Sequence, residues 1–189
     1  MEKVKYQNKA LVYPLPAVLA GALVNGKPNY ITLGNCGIMS VAPPVIYISS
    51  NKSHYTNRGI IENGAYSVNF PSADLVKLVD YCGVVSGRST DKSSVFETFF
   101  GENDKAPLIR ECPVNLVCKL LNTFSAYNMD VFVGEVVETY ITKEAIPNGF
   151  PDTKKINPLL YCLDNNYWCI GNIAGRGFSD GKELIKPDN

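Results

Sequence analysis

Histidine is nearly absent from this 189-residue chain: His54 stands alone. A serine or cysteine hydrolase would have to use it as the base. No G-x-S-x-G elbow presents a nucleophile. A phosphate-cradling G-x-x-x-x-G-K-[ST] loop is missing, and no G-x-G-x-x-G follows a strand, so neither nucleotide motif is supported. Cysteines occur at 36, 82, 112, 118, 162 and 169, none of them paired as C-x-x-C. With one histidine and no spaced pairs, a zinc set cannot be assembled. Without an export signal, these cysteines read as small buried thiols rather than disulfides. Long apolar runs are also absent. The stretch 17–23 is far shorter than the ~20 residues a bilayer requires, and Pro14 and Pro16 break the run before it. Charge is balanced, with 18 Lys plus Arg against 18 Asp plus Glu. Nothing in that balance suggests a nucleic-acid footprint, which needs clustered positive charge, so any anion site must be local. A cytoplasmic protein with no membrane segment is the expectation.

What the chain does have is 46% apolar residues, enough for one domain with a real core, spanning 1–189. VLAGALVNGKPNYITL carries two apolar runs around Asn25-Gly26, a pair suited to a tight hairpin turn. Strands are expected at 17–23, 29–33, 45–49 and 65–70, with long paired strands at 114–124 and 129–142. Residues 159–171 read as a final hairpin turning at 164–166. Ser53 or Thr56 could cap a short helix ended by Gly64, and Ser72 could cap a helix over 73–82. On that second helix Leu75, Val76, Val79 and Cys82 share one face. The polar stretch 84–107 reads as a long loop with a short helical piece near 92–99, and a loop of this length usually covers a site. The sum is a mainly β fold with short peripheral helices, expected to close into a barrel without free edges. The glycine-rich GNIAGRGFSDG comes late and reads as a surface loop.

Two polar segments could hold a planar, phosphorylated ligand. NYITLGNCGIMSVAPP (29–44) joins a strand bearing Asn29, Thr32 and Leu33 to the small, pliant piece Gly34-Asn35-Cys36-Gly37. Glycines there let a flat ring approach the backbone. SSNKSHYT (49–56) supplies Ser49, Ser50, Asn51, Lys52, Ser53, His54, Tyr55 and Thr56 at a strand end leading into a helix, where phosphate is attracted. The same segment would also serve as a polar turn into a capped helix. His54 could equally meet a phosphate or sit on the surface, and Lys52, Arg58 and Lys92 are ordinary solvated charges unless they lie near the hydroxyls.

In order along the chain, GKPNYITLGNCGIMSVAPP, SNKSHYTNRGIIENGAYSVNFPS, DYCGVVSGRSTDK, APLIRECPVNLVCKL, FVGEVVETYI and INPLLY resemble the flavoredoxin branch of the flavin reductase-like family. The most specific of these are SNKSHYT and the DYCG…SGR…DK run. The resemblance implies an FMN-binding split β-barrel, a homodimer with flavin mononucleotide (FMN) near the interface, and electrons taken from NAD(P)H or a redox protein. It implies that Asn29, Thr32, Leu33, Gly34, Asn35 and Cys36 hold the ring edge. It puts Ser49, Ser50, Asn51, Lys52, His54, Tyr55 and Thr56 around the phosphate, with Lys92 as a second cation. Asn35 stands where relatives often carry an aromatic, and Val117 where they often carry an acid. A plain electron carrier, or a barrel that has lost its flavin, remains an alternative. Haem, bound by some relatives, is poorly served by a single histidine.

Overall fold

The computed structural model describes residues 1–185. Its strands are β1 (Leu15–Pro16), β2 (Val18–Val24), β3 (Lys27–Leu33), β4 (Cys36–Val41), β5 (Pro44–Asn51), β6 (Ala65–Phe70), β7 (Thr98–Phe99), β8 (Leu108–Ile109), β9 (Val114–Ala126), β10 (Met129–Ile141), β11 (Leu160–Cys162) and β12 (Asn166–Trp168). The α-helices are α1 (Thr56–Asn63), α2 (Val76–Val84) and α3 (Thr153–Ile156). Among the described residues no helix is long and apolar enough to cross a membrane.

Seven strands form one antiparallel sheet in the order β3-β2-β6-β9-β10-β5-β4. The β2–β3 turn is the two-residue Asn25-Gly26 expected from sequence, with φ of 52° and 74°. Most residues with a Cβ are strained at such angles, whereas Asn tolerates them and Gly has no Cβ, which is why this pair belongs there. Strand β2 is apolar throughout because both its faces are covered. Val18, Ala20 and Ala22 face the main core with Ile31, Ile48, Val68 and Phe132. Leu19 faces a second core with Tyr30, Val79, Cys82 and Leu159. Helix α2 covers that second core through Val79 and Cys82, with Leu75 and Val76 packed beside them.

Four expectations need correction. The sheet does not close: β3 and β4 are its two ends and no ladder joins them. The fold is therefore a split barrel, and β3 is an edge strand whose end is free to wall a site. The stretch 92–99 is not helical; it is a turn entering the short strand β7, held by its pairing with β8. Neither Ser53 nor Thr56 caps α1, and Ser72 makes no capping bond either. The N-cap of α1 is Tyr55, whose side chain offers no bond to the first turn. The final hairpin, β11–β12, is shorter than the sequence suggested. It joins β1 through Leu15↔Tyr161.

Candidate functional site

The start of α1, the end of α2 and the loop after it surround a cavity of about 230 Å³. Ser53, His54, Tyr55 and Thr56 form one wall, and the stretch from Gly83 to Gly87 with Lys92 forms the other. The first backbone N–H groups of α1 lack a side-chain cap, leaving partial positive charge at the cavity wall.

Lys92 is the strongest feature. It is only 2% exposed and makes no ion pair among the described residues. Its Nζ donates to the Cys82 and Val85 carbonyls, each at 3.2 Å, at the C-terminal end of α2. Those bonds hold the ammonium but do not neutralise it, and one of its three N–H groups is left over. Burial lowers its pKa from the ordinary value. A buried cation without a carboxylate is costly, and an anion in the cavity would offset that cost.

A buried network fixes the opposite wall. Ser50 Oγ donates to Asn57 Oδ1 at 2.7 Å, and Asn57 Nδ2 donates to the Asn51 carbonyl at 2.9 Å. Ser50 has one proton to give, so its 2.9 Å contact with His54 Nδ1 requires that nitrogen to donate. Nε2 of the neutral ring then carries the lone pair. Burial, and secondarily Lys92, lower the His54 pKa below its usual value. Asn29, on the main-core side of β3, donates to Thr56 Oγ1 at 2.7 Å and ties that strand to α1. Gly87 lies against this pair. A Cβ there would collide with the Asn29 amide and come within 2.8 Å of the Tyr55 ring.

Gly83 and Val84 also wall a second cavity of about 400 Å³, so the two adjoin as one cleft region at the end of α2. Thr32, Leu33 and Gly34 line it from β3, and Tyr161, Asn165 and Tyr167 from the β11–β12 hairpin. Thr32 Oγ1 donates to the Val79 carbonyl. Tyr167 Oη donates to Asp80 Oδ1 at 3.2 Å, latching the hairpin to α2. Burial, with Asp80 beside it, raises the Tyr167 pKa to about 12.

The cleft thus gathers Thr32, Leu33, Gly34, His54, Tyr55, Thr56 and Lys92 from the expected set. Asn29, Ser50 and Asn51 stand behind it as supports. Asn51 Oδ1 accepts from the Ser53 N–H at 3.0 Å and shapes the turn into α1. Lys52 lies on a neighbouring opening that shares His54 and Tyr55. Three expected contacts are not brought in. Strand alternation on β5 sends Ser49 to the face opposite buried Ser50. Asn35 is exposed, with its carbonyl taken by the Ser49 N–H at 2.9 Å. Cys36 packs against the main core, and burial raises its thiol pKa to about 12. Sequence reasoning missed the backbone of 83–87 and the hairpin tyrosines. The glycines of DYCG and SGR were the available signal for the first; nothing marked the second.

A family model described as "Flavin reductase like domain" matches residues 11–167. The fold superposes on a flavoredoxin of Methanosarcina acetivorans with a TM-score of 0.95 and 45% identity, covering 98% of this chain and 100% of that one. Flavoredoxin of Desulfovibrio vulgaris (Miyazaki F) gives 0.88 and 29%, covering 95% and 100%. An uncharacterized protein of Archaeoglobus fulgidus is 31% identical over 146 residues, 75% of this chain and 80% of that protein. With the match spanning most of its length, this chain belongs to the flavin reductase-like domain family.

Proposed function

We propose that this chain binds one FMN in the cleft along α2 and works as an FMN-dependent oxidoreductase of the flavoredoxin type. The observation that carries the reading is Lys92: a buried, unpaired cation facing an uncapped helix start, on a cavity continuous with a wider, tyrosine-walled one. That order matches a nucleotide's doubly charged tail and planar head. Lys92, the α1 N–H groups and the Thr56 hydroxyl would hold the phosphate. Leu33, Gly34 and the tyrosines of the hairpin would flank the ring and exclude water from one side. When bound, FMN supplies the redox chemistry, with NAD(P)H or a redox protein as the electron source. That chemistry demands no acid–base side chain of the protein.

A second copy of the chain is part of the proposal. Edge strand β4 exposes Ile38 and Val41 at 74% and 82%, and the tail after β12 exposes Ile173 and Phe178. Exposed apolar groups in this number support the reading, since a dimer would cover them. The test is an anaerobic titration of FMN-loaded protein with NADH, NADPH and a reduced ferredoxin, followed at the flavin bands. Bleaching by a nicotinamide supports a reductase; bleaching only by the ferredoxin supports an electron carrier. Protein that stays colourless and takes up no added FMN would overturn both.

A further inference from the structure

The loop that delivers Lys92 carries no apolar side chain. From Ser86 to Lys92 it reads Ser-Gly-Arg-Ser-Thr-Asp-Lys, and of these residues only Lys92 is buried. Hydrophobic burial therefore does not seat it, and polar contacts must. Most of those are internal. The Ser89 and Thr90 N–H groups donate to the Ser86 carbonyl, and the Arg88 N–H to Ser86 Oγ at 3.3 Å. The two Lys92 bonds return to the end of α2, which the loop has just left. One contact reaches across to the β2–β3 hairpin: Lys27 Nζ donates to Asp91 Oδ2 at 2.8 Å. Among the described residues it is the only hydrogen bond or ion pair between 86–92 and that hairpin. Asp91 is itself fixed, because its Oδ1 accepts from the Ser93 N–H at 2.9 Å. Lys27, and after it Ser93, hold the Asp91 carboxyl well below the usual carboxylate range. A hollow of about 350 Å³ is bordered by Lys27, Asn29, Gly87 and Asp91, so the pair spans a gap rather than a packed interface. In the same turn, Asn25 Nδ2 donates to the Tyr55 hydroxyl at 3.1 Å. The hairpin turn thus braces both walls of the Lys92 cavity, one through Tyr55 and the other through Asp91.

We propose that Lys27 and Asp91 are positioning residues for the phosphate end: their ion pair clasps the 86–92 loop to the β2–β3 hairpin and holds the Lys92 ammonium in its cavity before any ligand arrives. The proposal rests on the flavin reading above. Neither residue lines the Lys92 cavity, so each acts through Lys92. When the clasp opens, Lys92 and the wall at Ser86 and Gly87 leave with the loop. Apparent affinity then falls with the fraction of chains that keep the loop closed. Both partners are largely exposed, at 68% and 54%, so salt screens the pair and its effect is modest. The sign of one substitution separates this role from a simple field. Asp91 is an anion next to Lys92 in sequence. By charge alone its removal favours a bound phosphate, whereas loss of the clasp disfavours one.

The experiment compares the full chain as wild type, Lys27→Met, Lys27→Arg and Asp91→Asn, the last keeping the turn at Ser93 while removing the charge. Flavin-free protein is digested briefly with trypsin. Cleavage after the exposed Arg88 is read by mass spectrometry against cleavage after Lys9 in the exposed N-terminal arm. FMN is then titrated by fluorescence. The expected result is faster Arg88 cleavage and an FMN Kd raised about two- to fivefold in Lys27→Met and Asp91→Asn, with both values restored in Lys27→Arg. Added salt speeds Arg88 cleavage in wild type and not in Lys27→Met. Unchanged Arg88 cleavage in the two variants overturns the clasp. Faster cleavage with an unchanged Kd overturns the positioning role, as does tighter FMN binding by Asp91→Asn. If wild type takes up no FMN, the flavin reading falls and the positioning role with it, while the cleavage comparison still decides whether the clasp exists.

Discussion

Replacing Lys92 by methionine separates a ligand role from a structural one. Methionine keeps the length and apolar stem and removes the charge. Two effects on the ligand-free fold oppose each other. The Cys82 and Val85 carbonyls lose their donor, at about 1 kcal/mol each. Against that, the fold no longer buries an ammonium whose pKa is lowered by desolvation. The net change is then within about 1 kcal/mol, a Tm shift of about 2–4 °C in a chain of this size. Phosphate binding has no such compensation. A charge-assisted bond of about 1.5–3 kcal/mol disappears, so Kd for FMN rises about 10- to 150-fold. Thermal melting of flavin-free protein and fluorescence titration with FMN read the two effects independently. A melting point down by ten degrees with unchanged FMN affinity would show that Lys92 only ties the loop to α2, and the phosphate assignment would fall.

The lone histidine makes a clean probe by NMR. In ligand-free protein its pKa lies below 6.5, and FMN binding moves it upward as a phosphate offsets Lys92. No upward movement in the complex would remove His54 from the site. The sign for stability follows: the folded pKa is depressed, so the His54 contribution is present above about pH 6.5 and is lost as pH falls through the folded value. Urea midpoints of wild type therefore drop more between pH 7 and 5 than those of His54→Asn. Gly87→Ala forces the 86–92 loop off Asn29 and Tyr55, costing about 1–3 kcal/mol and weakening FMN; a Tm and Kd equal to wild type would refute the close approach. Thr56→Ala removes the acceptor of the Asn29 bond and a phosphate hydroxyl, so FMN retention on gel filtration falls. Tyr167→Phe breaks the latch to Asp80 and speeds FMN release with little change in Tm; an unchanged off-rate would deny the hairpin a covering role.

The hairpin at Asn25-Gly26, the long pair β9–β10 and the buried face of α2 were legible because each follows from local residue pattern. The split came only from the family resemblance, because alternation cannot tell whether the two end strands of a sheet meet. The α1 cap was misread because Ser53 and Thr56 have the right chemistry for a cap, yet their hydroxyls are elsewhere engaged. Asn51 Oδ1 accepts from the Ser53 hydroxyl at 2.8 Å, and the Thr56 hydroxyl oxygen accepts from Asn29 Nδ2 at 2.7 Å. Ser49 shows the limit of composition: neighbours in a polar segment look equivalent until strand alternation sends them to opposite faces. Tyr161 and Tyr167 join the site through the pairing of β11 with β1, the Tyr167–Asp80 bond and packing on the second core, contacts between residues far apart in the chain.

That tertiary origin bears on whether flavin stays or leaves. Three of the cleft's walls are fixed without any ligand. Asn29 joins β3 to α1, Ser50 and Asn57 hold the turn before it, and Lys92 anchors the following loop to α2. Among the described residues, no buried side-chain polar atom lacks a partner. A site ordered in advance loses little conformational freedom on binding, so its contacts go into affinity. The fourth wall is the β11–β12 hairpin, attached by the two-residue β1 and one tyrosine–aspartate bond. With the ring placed as proposed, its release would require this hairpin to move. A phosphate end ordered in advance and a hairpin held by β1, Asp80 and the second core favour a resident flavin over one exchanged at each turnover.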